Sequence, residues 1–424
     1  MMRPLNRGFL GRAFALLTLA AGAALYALLP VRGLWTGRHD NDFKHLYFGM
    51  KALLDGSSPY PPESLLLQAS RAGMPDASLN PFVYLPFTGL SLGWLSPFSP
   101  AVASQIWFLV SHFLILGSCM LAAQTFFPRR RTMALGLMLG VCAVCHPLAR
   151  SLTAGQLNAV LLACYAGAFA FIIKNRPWVA GGLLGFGAMF KLSPGLFLLH
   201  FVIRREWRAL TAMAVACAAL GLVSIAAVGI ATHIEFIPML RQMGYGRSTW
   251  QEFGAVFWKD PANQSINSLL THLLVADNGI TAPWLAGSQA LANNLTIFAS
   301  GLLTLIYLFC VLPCRPGVRR DPAPPFMATL LLSLLLPSLM WDHYLVQALL
   351  PAAWLCSRAM ERRSPLLAVE MAAVLFLLCV PWPYHSGIFR AGIGVPLMSV
   401  KLLPVLVMFL RCCRECCRMP SATV

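Results

Sequence analysis

Charge is scarce in this chain, and acid scarcer than base: 11% of its 424 residues are charged, 15 acidic against 32 basic. So little charge beside 58% hydrophobic residues excludes a soluble fold, because a core of this length could not bury that much apolar surface. Period-two alternation is rare in the apolar runs, which argues against a barrel. The candidate outer loops lack a Walker loop, a dinucleotide fingerprint and metal-spaced His/Cys clusters, so no cofactor or metal is expected there. No internal repeat is evident, which weakens an inverted-repeat transporter. None of the 13 cysteines falls in the large loops, so no disulfide framework is indicated.

What the chain does have is apolar runs of about the 20 residues that cross hydrocarbon as a helix. They predict twelve spans, several short, at approximately 9–30, 101–127, 132–149, 156–173, 178–190, 193–203, 207–231, 284–312, 325–341, 343–357, 365–380 and 396–411. The net charge of +17 then resolves into topology. Most basic residues cluster on the short connections of one side, such as Arg129-Arg130-Arg131, Arg204-Arg205 with Arg208, and Arg362-Arg363. By the positive-inside rule that side is cytoplasmic and both termini lie there, so nucleic acid is not needed to explain the charge. The first run is too long for a typical signal-peptide core and has no small-x-small cleavage site after it, so it is expected to stay as an anchor. In the tail 412–424, the cysteines of Arg411-Cys-Cys-Arg-Glu-Cys-Cys-Arg418 read as juxtamembrane residues rather than metal ligands or acylation sites.

Two large outer loops, 31–100 and 232–283, are where function is expected. In the first, Phe43, Leu46, Tyr47, Met50, Leu53 and Leu54 recur at helical spacing, predicting a one-faced helix too short to span that lies in the interface. Asp42 stands at its N-cap and Gly56 follows its end. The segment Phe82 to Phe98, interrupted by Pro86 and Pro97, suits a second interfacial or re-entrant helix. Two pairs of short apolar segments break at ionisable residues, one at Lys191 and one at Asp342-His343, and such breaks are where membrane proteins place sites.

These positions suggest chemistry. A carboxylate at the interface, Asp42 or its neighbour Asp40, could take the proton from an attacking hydroxyl; the alternative is that Asp42 only caps its helix. One base suffices if the leaving group is a lipid phosphate, a stable anion that needs positive charge rather than an acid. Lys191, followed by Ser193 and Pro194, could meet that phosphate, or merely snorkel. His343, oriented by Asp342, could bond the reacting hydroxyl or the phosphate. The amides Gln156, Asn158, Asn263, Gln264 and Asn267 fit either sugar hydroxyls or helix caps.

The chain carries, in order, Asp42-Phe-Lys-His-Leu-Tyr47 with Ala52-Leu-Leu-Asp-Gly-Ser-Ser-Pro-Tyr60, Phe82-Val-Tyr-Leu-Pro-Phe87, Gly155-Gln-Leu-Asn158, Ala180 through Phe190-Lys-Leu-Ser-Pro194, Asn263-Gln-Ser-Ile-Asn267 and Trp341-Asp-His-Tyr344. Together, and in family order, these stretches resemble glycosyltransferase family 87, polyprenyl-phosphate-mannose-dependent enzymes of the GT-C superfamily. The resemblance implies an all-α GT-C membrane enzyme of about twelve transmembrane or half-spanning helices, in one domain over 1–424. It implies inverting transfer of a hexose, mannose by analogy, from a polyprenyl-phosphate donor to a lipid or glycan acceptor on the outer face of a bacterial inner membrane. Asp42 would be the base, with His343 beside the reacting groups. Lys191, Gln156 and Asn158 would hold the donor. Asp40, Tyr47, Tyr60, Asn263, Gln264, Asn267 and Asp342 would face acceptor or sugar. Tyr84-Leu-Pro86 and His45-Leu-Tyr47 depart from the usual family forms. A lipid-linked-sugar transporter or a glycan ligase stand as alternatives.

Overall fold

The computed structural model describes residues 7–33, 42–247, 249–250, 255–276, 278–312 and 321–418. The first half of the chain runs α1 (Arg7–Leu28), α2 (Phe43–Leu54), α3 (Pro62–Arg71), α4 (Pro86–Ser91), α5 (Pro100–Phe126), α6 (Arg131–Val144), α7 (His146–Thr153), α8 (Asn158–Ile173) and α9 (Pro177–Phe190). Next come α10 (Leu196–Arg204), α11 (Trp207–Gln242) and a small hairpin of β1 (Thr249–Trp250) with β2 (Ala255–Val256), antiparallel. The rest comprises α12 (Ile266–Leu274), α13 (Gln289–Val311), α14 (Ala323–Leu335), a 3-10 segment Asp342–Ala348, α15 (Leu349–Glu361), α16 (Pro365–Cys379) and α17 (Leu402–Cys417).

Twelve full-length spans are not found among the described residues. Among the described residues four helices are long and apolar enough to cross a membrane: α1, α5, α11 and α13. A fifth arises if α6 and α7, bent by 67° at their junction, count as one. These long apolar helices make the chain an integral membrane protein. Five of the other apolar runs are shorter helices, α8, α9, α10, α14 and α16, of which α8, α9 and α10 keep close to their expected bounds. Lys191 is extended (φ −155°, ψ 134°) and ends α9, and Pro337 stops the chain from continuing α14. Two boundaries also shift. α11 continues to Gln242, past the expected loop start at 232, although its helical geometry breaks at Gly229. α17 extends through Cys417 and buries Cys412, Cys413 and Cys416, so much of the expected tail is helix.

The first-loop helix α2 also differs from expectation. It is not one-faced: His45, Phe48 and Gly49 are buried along with the apolar stripe. Phe82 folds against it so closely that a Cβ on Gly49 would lie 2.2 Å from the ring. The second apolar segment thus covers the face that was expected to meet solvent or headgroups. Pro86 begins α4 rather than breaking it, as its missing N–H allows at a first helical position.

α1 is held by close backbone approach to α6. A Cβ on Gly22 would lie 2.0 Å from the Gly136 carbonyl oxygen, and one on Gly136 would lie 2.4 Å from that of Thr18. Small residues let apolar helices gain dispersion where lipid provides no hydrophobic drive. Gly136→Val is therefore expected to cost about 1–3 kcal/mol by overpacking and to lower the thermal midpoint in detergent. Gly140→Val, one turn away and facing open space, should leave it nearly unchanged. Equal midpoints for the two variants would contradict this packing.

Candidate active site

Asp42 stands at the N-cap of α2, but its side chain makes no capping bond. The carboxylate is instead held by two amides: Asn80 Nδ2 donates to Oδ1 at 2.9 Å and Gln156 Nε2 donates to Oδ2 at 3.0 Å. Bonds of this charged kind contribute about 1.5–3 kcal/mol each. The backbone brings these groups together. Asp42 N donates to Ala154 O, and Gly155, in the left-handed region (φ 68°), turns the chain from α7 into α8. A Cβ there would collide with that of Phe43 at 2.6 Å, so the turn requires glycine. Trp107 Nε1 donates to Gly155 O and fixes the turn against α5.

Behind Gln156, Tyr84 Oη donates to its Oε1 at 3.2 Å. Tyr84 stacks face to face on His45, with ring centroids 5.9 Å apart. Burial lowers the His45 pKa against the opposing pull of Asp42, so its ring is neutral at neutral pH.

Asp42, His45, Asn80, Arg150, Gln156, Asp260 and His343 line one polar cavity of about 680 Å³. An adjoining cavity of about 520 Å³ is mainly apolar and is lined by Lys191, Ser193, Leu196, Phe236 and Leu240 among others. The two share Val83, Tyr84, Phe257, Trp341 and Tyr344, so an aromatic partition divides a carboxylate-bearing chamber from a lipid-like one. Lys191 stands at the break after α9, where Thr88 Oγ1 donates to the free carbonyls of Met189 and Phe190. Its Nζ lies 3.0 Å from the centroid of the Tyr344 ring. No described residue gives this ammonium a carboxylate partner.

His343 is the second residue of the 3-10 segment and lies parallel to Trp341 at 6.2 Å between centroids. Asn158 holds it from behind, donating to His343 O at 3.1 Å and to Ser151 Oγ at 3.2 Å. Asp342 is fully buried and does not line the cavity; its Oδ2 accepts from Arg150 Nη1 at 3.3 Å.

The sequence-derived candidates therefore separate. Asp42, Gln156 and His343 meet in the polar cavity and Lys191 faces its neighbour, whereas Asn158 and Asp342 support from outside. Tyr47 donates to Phe98 O and Tyr60 to Tyr84 O, both as scaffold bonds. Asp40 lies outside the described residues. Asn263, Gln264 and Asn267 are fully buried, and their amides serve the backbone and other side chains. Asn263 Oδ1 accepts from Met340 N and its Nδ2 donates to Ser338 O, stapling the second loop to the segment before His343. Gln264 joins Met398 O and Lys401 N, and Asn267 joins Gly246, Asn293 and Thr296.

Sequence reasoning gave no role to Asn80, Arg150 and Asp260. Asn80 sits just before the Phe82-Val-Tyr84 stretch. Arg150 is an arginine at the expected outer end of a span, against the charge rule, and that misplacement was the available signal. Asp260 precedes the Asn263 stretch but has no pattern of its own. Burial raises its pKa, opposed by Ala262 N, His385 and Arg150.

Comparison with known proteins bears on this geometry. The chain matches the glycosyltransferase family 87 model over residues 82–341. It is similar to the polyprenol-phosphate-mannose-dependent alpha-(1-2)-phosphatidylinositol mannoside mannosyltransferase of Mycobacterium tuberculosis, at 25% identity over 392 residues, covering 87% of this chain and 82% of that protein. It is also similar to the polyprenol-phosphate-mannose-dependent alpha-(1-2)-phosphatidylinositol pentamannoside mannosyltransferase of Mycolicibacterium smegmatis, at 26% over 347 residues, covering 80% and 75%. No solved structure matches. The family match includes Tyr84, Arg150, Gln156, Lys191, Asp260 and Trp341; His343 lies two residues past its end, and Asp42 lies well before its start at residue 82.

Proposed function

The chain belongs to glycosyltransferase family 87, and from that premise we propose that it transfers mannose from a polyprenyl-phosphate donor to a hydroxyl of a lipid or glycan acceptor, inverting the anomeric centre. The observation that carries this reading is the aim of Asp42: a carboxylate at a helix start that leaves the helix uncapped and is fixed by Asn80 and Gln156 in a polar cavity. Across the aromatic partition, Lys191 faces a chamber suited to an isoprenoid phosphate; burial lowers its pKa well below the ordinary lysine value, and a phosphate bound there would favour its ammonium form. The relatives' names give the same donor class.

In this mechanism the acceptor hydroxyl gives its proton to Asp42 as its oxygen bonds the sugar's anomeric carbon. The bond from that carbon to the phosphate oxygen breaks on the opposite face, and polyprenyl phosphate leaves as an anion. Lys191 stabilises the charge that develops there. His343 lies beside the reacting centre as a donor to the phosphate or the attacking hydroxyl. Gln156 keeps Asp42 in its attacking orientation, and Asn158 keeps the His343 segment in place. The arginine clusters at the other helix ends support, by the positive-inside rule, a topology with both termini in the cytoplasm and this site on the outer face of a bacterial inner membrane.

The test is transfer of labelled mannose from synthetic polyprenyl-phosphate-mannose by the purified protein in lipid nanodiscs, supplied with lipid and glycan acceptors. Transfer supports the reading. Absence of transfer across several donor sugars, with movement of the lipid-linked sugar between leaflets of proteoliposomes, would replace it with a transporter. Gln156→Leu removes one of the two bonds that orient the base, so kcat should fall about 10- to 100-fold with the donor KM near wild type. An unchanged kcat would separate Gln156 from the chemistry.

A further inference from the structure

The polar cavity has two poles. Asp42, Asn80 and Gln156 form one. The other is built by Arg150 from α7, Asp260 from the second loop and the indole of Trp341, which meets Phe257 edge-on with centroids 5.5 Å apart. Loop stapling brings the second pole together: Asp342 N donates to Ala262 O and Gln264 N to Met340 O, which sets Asp260 beside Trp341. Asp260 Oδ1 accepts from Ala262 N at 2.7 Å.

Charge decides what such a pole can take. Arg150 is already matched by buried Asp342, and Asp260 adds a second carboxylate facing the same space. Behind Asp342, the buried Lys401 contacts His146 Nδ1 at 3.1 Å, and His146 in turn lies 3.6 Å from Asp342. The two cations and two carboxylates leave the pole without the positive surplus that an anionic ligand needs. They leave it instead with carboxylate acceptors and guanidinium N–H donors next to an aromatic face. A pair of neighbouring hydroxyls satisfies both, each accepting from one group and donating to the other, while the ring's C–H face rests on Trp341.

We propose that Arg150 and Asp260 are specificity-determining residues that bind an uncharged sugar ring of the acceptor by its vicinal hydroxyls, and that this pole rejects acceptors whose sugar ring carries a carboxylate. The inference rests on the glycosyltransferase reading and names the acceptor class for the same site.

The experiment uses the full chain in nanodiscs with polyprenyl-phosphate-mannose and three probes: n-octyl α-D-mannoside, its C6-carboxylate analogue and n-octanol. Wild type should use the mannoside at least tenfold better, by kcat/KM, than either other probe. Asp260→Asn, which retains Oδ1 for Ala262 N, should raise the mannoside KM about tenfold with kcat within threefold and the donor KM unchanged. The same variant should narrow the gap between the mannoside and its carboxylate analogue, because a like charge has been removed; loss of packing alone would not do this. Arg150→Lys should raise the mannoside KM without narrowing that gap. Equal use of octanol and mannoside by wild type, or an Asp260→Asn enzyme with unchanged KM and selectivity, overturns the proposal. Wild type that discharges the donor only to water also overturns it while preserving the glycosyltransferase reading. Wild type that never discharges the donor overturns both.

Discussion

Asp42→Asn should reduce transfer by at least about a thousandfold in kcat, leaving the donor KM within a few-fold of wild type and the thermal midpoint close to it. A positioned general base contributes typically 10²- to 10⁴-fold, and among the described residues no second carboxylate shares the Asn80–Gln156 clamp to substitute for it. The amide cannot take the acceptor's proton, and its N–H₂ must face one of two side chains that already donate, so either Asn80 or Gln156 turns away. Stability should fall by no more than the one amide bond that is lost, at most about 1.5–3 kcal/mol, because Asp42 makes no cap bond that α2 would lose. Steady-state kinetics with labelled donor, paired with a thermal-shift measurement, checks both halves. Full activity in a folded Asp42→Asn enzyme would remove Asp42 as the base and direct attention to Asp40. A large fall in midpoint with modest kinetic change would return Asp42 to a structural role.

Lys191→Met should raise the donor KM about 10- to 100-fold, the equivalent of losing a charge-assisted hydrogen bond of about 1.5–3 kcal/mol. Methionine keeps most of the side chain's bulk over the Tyr344 ring, so the loss isolates the charge. A cation buried beside an aromatic ring with no carboxylate near it is costly unless a ligand supplies the anion. Removing it should therefore leave the unliganded protein as stable as wild type or more so. Lys191→Arg should recover part of the donor affinity, since the charge remains while the geometry over Tyr344 changes. Donor titration by transfer rate, with acceptor saturating, separates the outcomes. A Lys191→Met enzyme with wild-type donor KM would make the lysine a support for Tyr344 and nothing more.

How much of this was legible beforehand differs by residue. Asp42 stood out because it opens an amphipathic stretch, but position alone allowed a cap and a base equally. The orientation of its carboxylate away from the helix decided between them, and that depends on Asn80 and Gln156, 38 and 114 residues away. Lys191 was legible because a cation interrupts an apolar run, an event costly enough to show in one sequence. Asn263, Gln264 and Asn267 looked like sugar contacts for the same reason that they serve as staples: amides suit any buried backbone group, and composition does not say which. Arg150 and Asp260 come from separate connections and carry no local pattern, so nothing in either segment announces that they share a cavity.

The sequence by itself determined that the chain lives in a membrane, that its charges cluster by side and that polar breaks at Lys191 and at Asp342-His343 interrupt its apolar runs. These follow from hydrophobicity and charge, which act residue by residue and so can be read in order along the chain. Only the tertiary structure decided how many of the apolar runs are long helices, that Phe82 packs against α2 at Gly49, and that two cavities meet at a partition of Tyr84, Trp341 and Tyr344. Those outcomes depend on contacts between segments far apart in the chain, where a turn at one proline or glycine redirects everything after it.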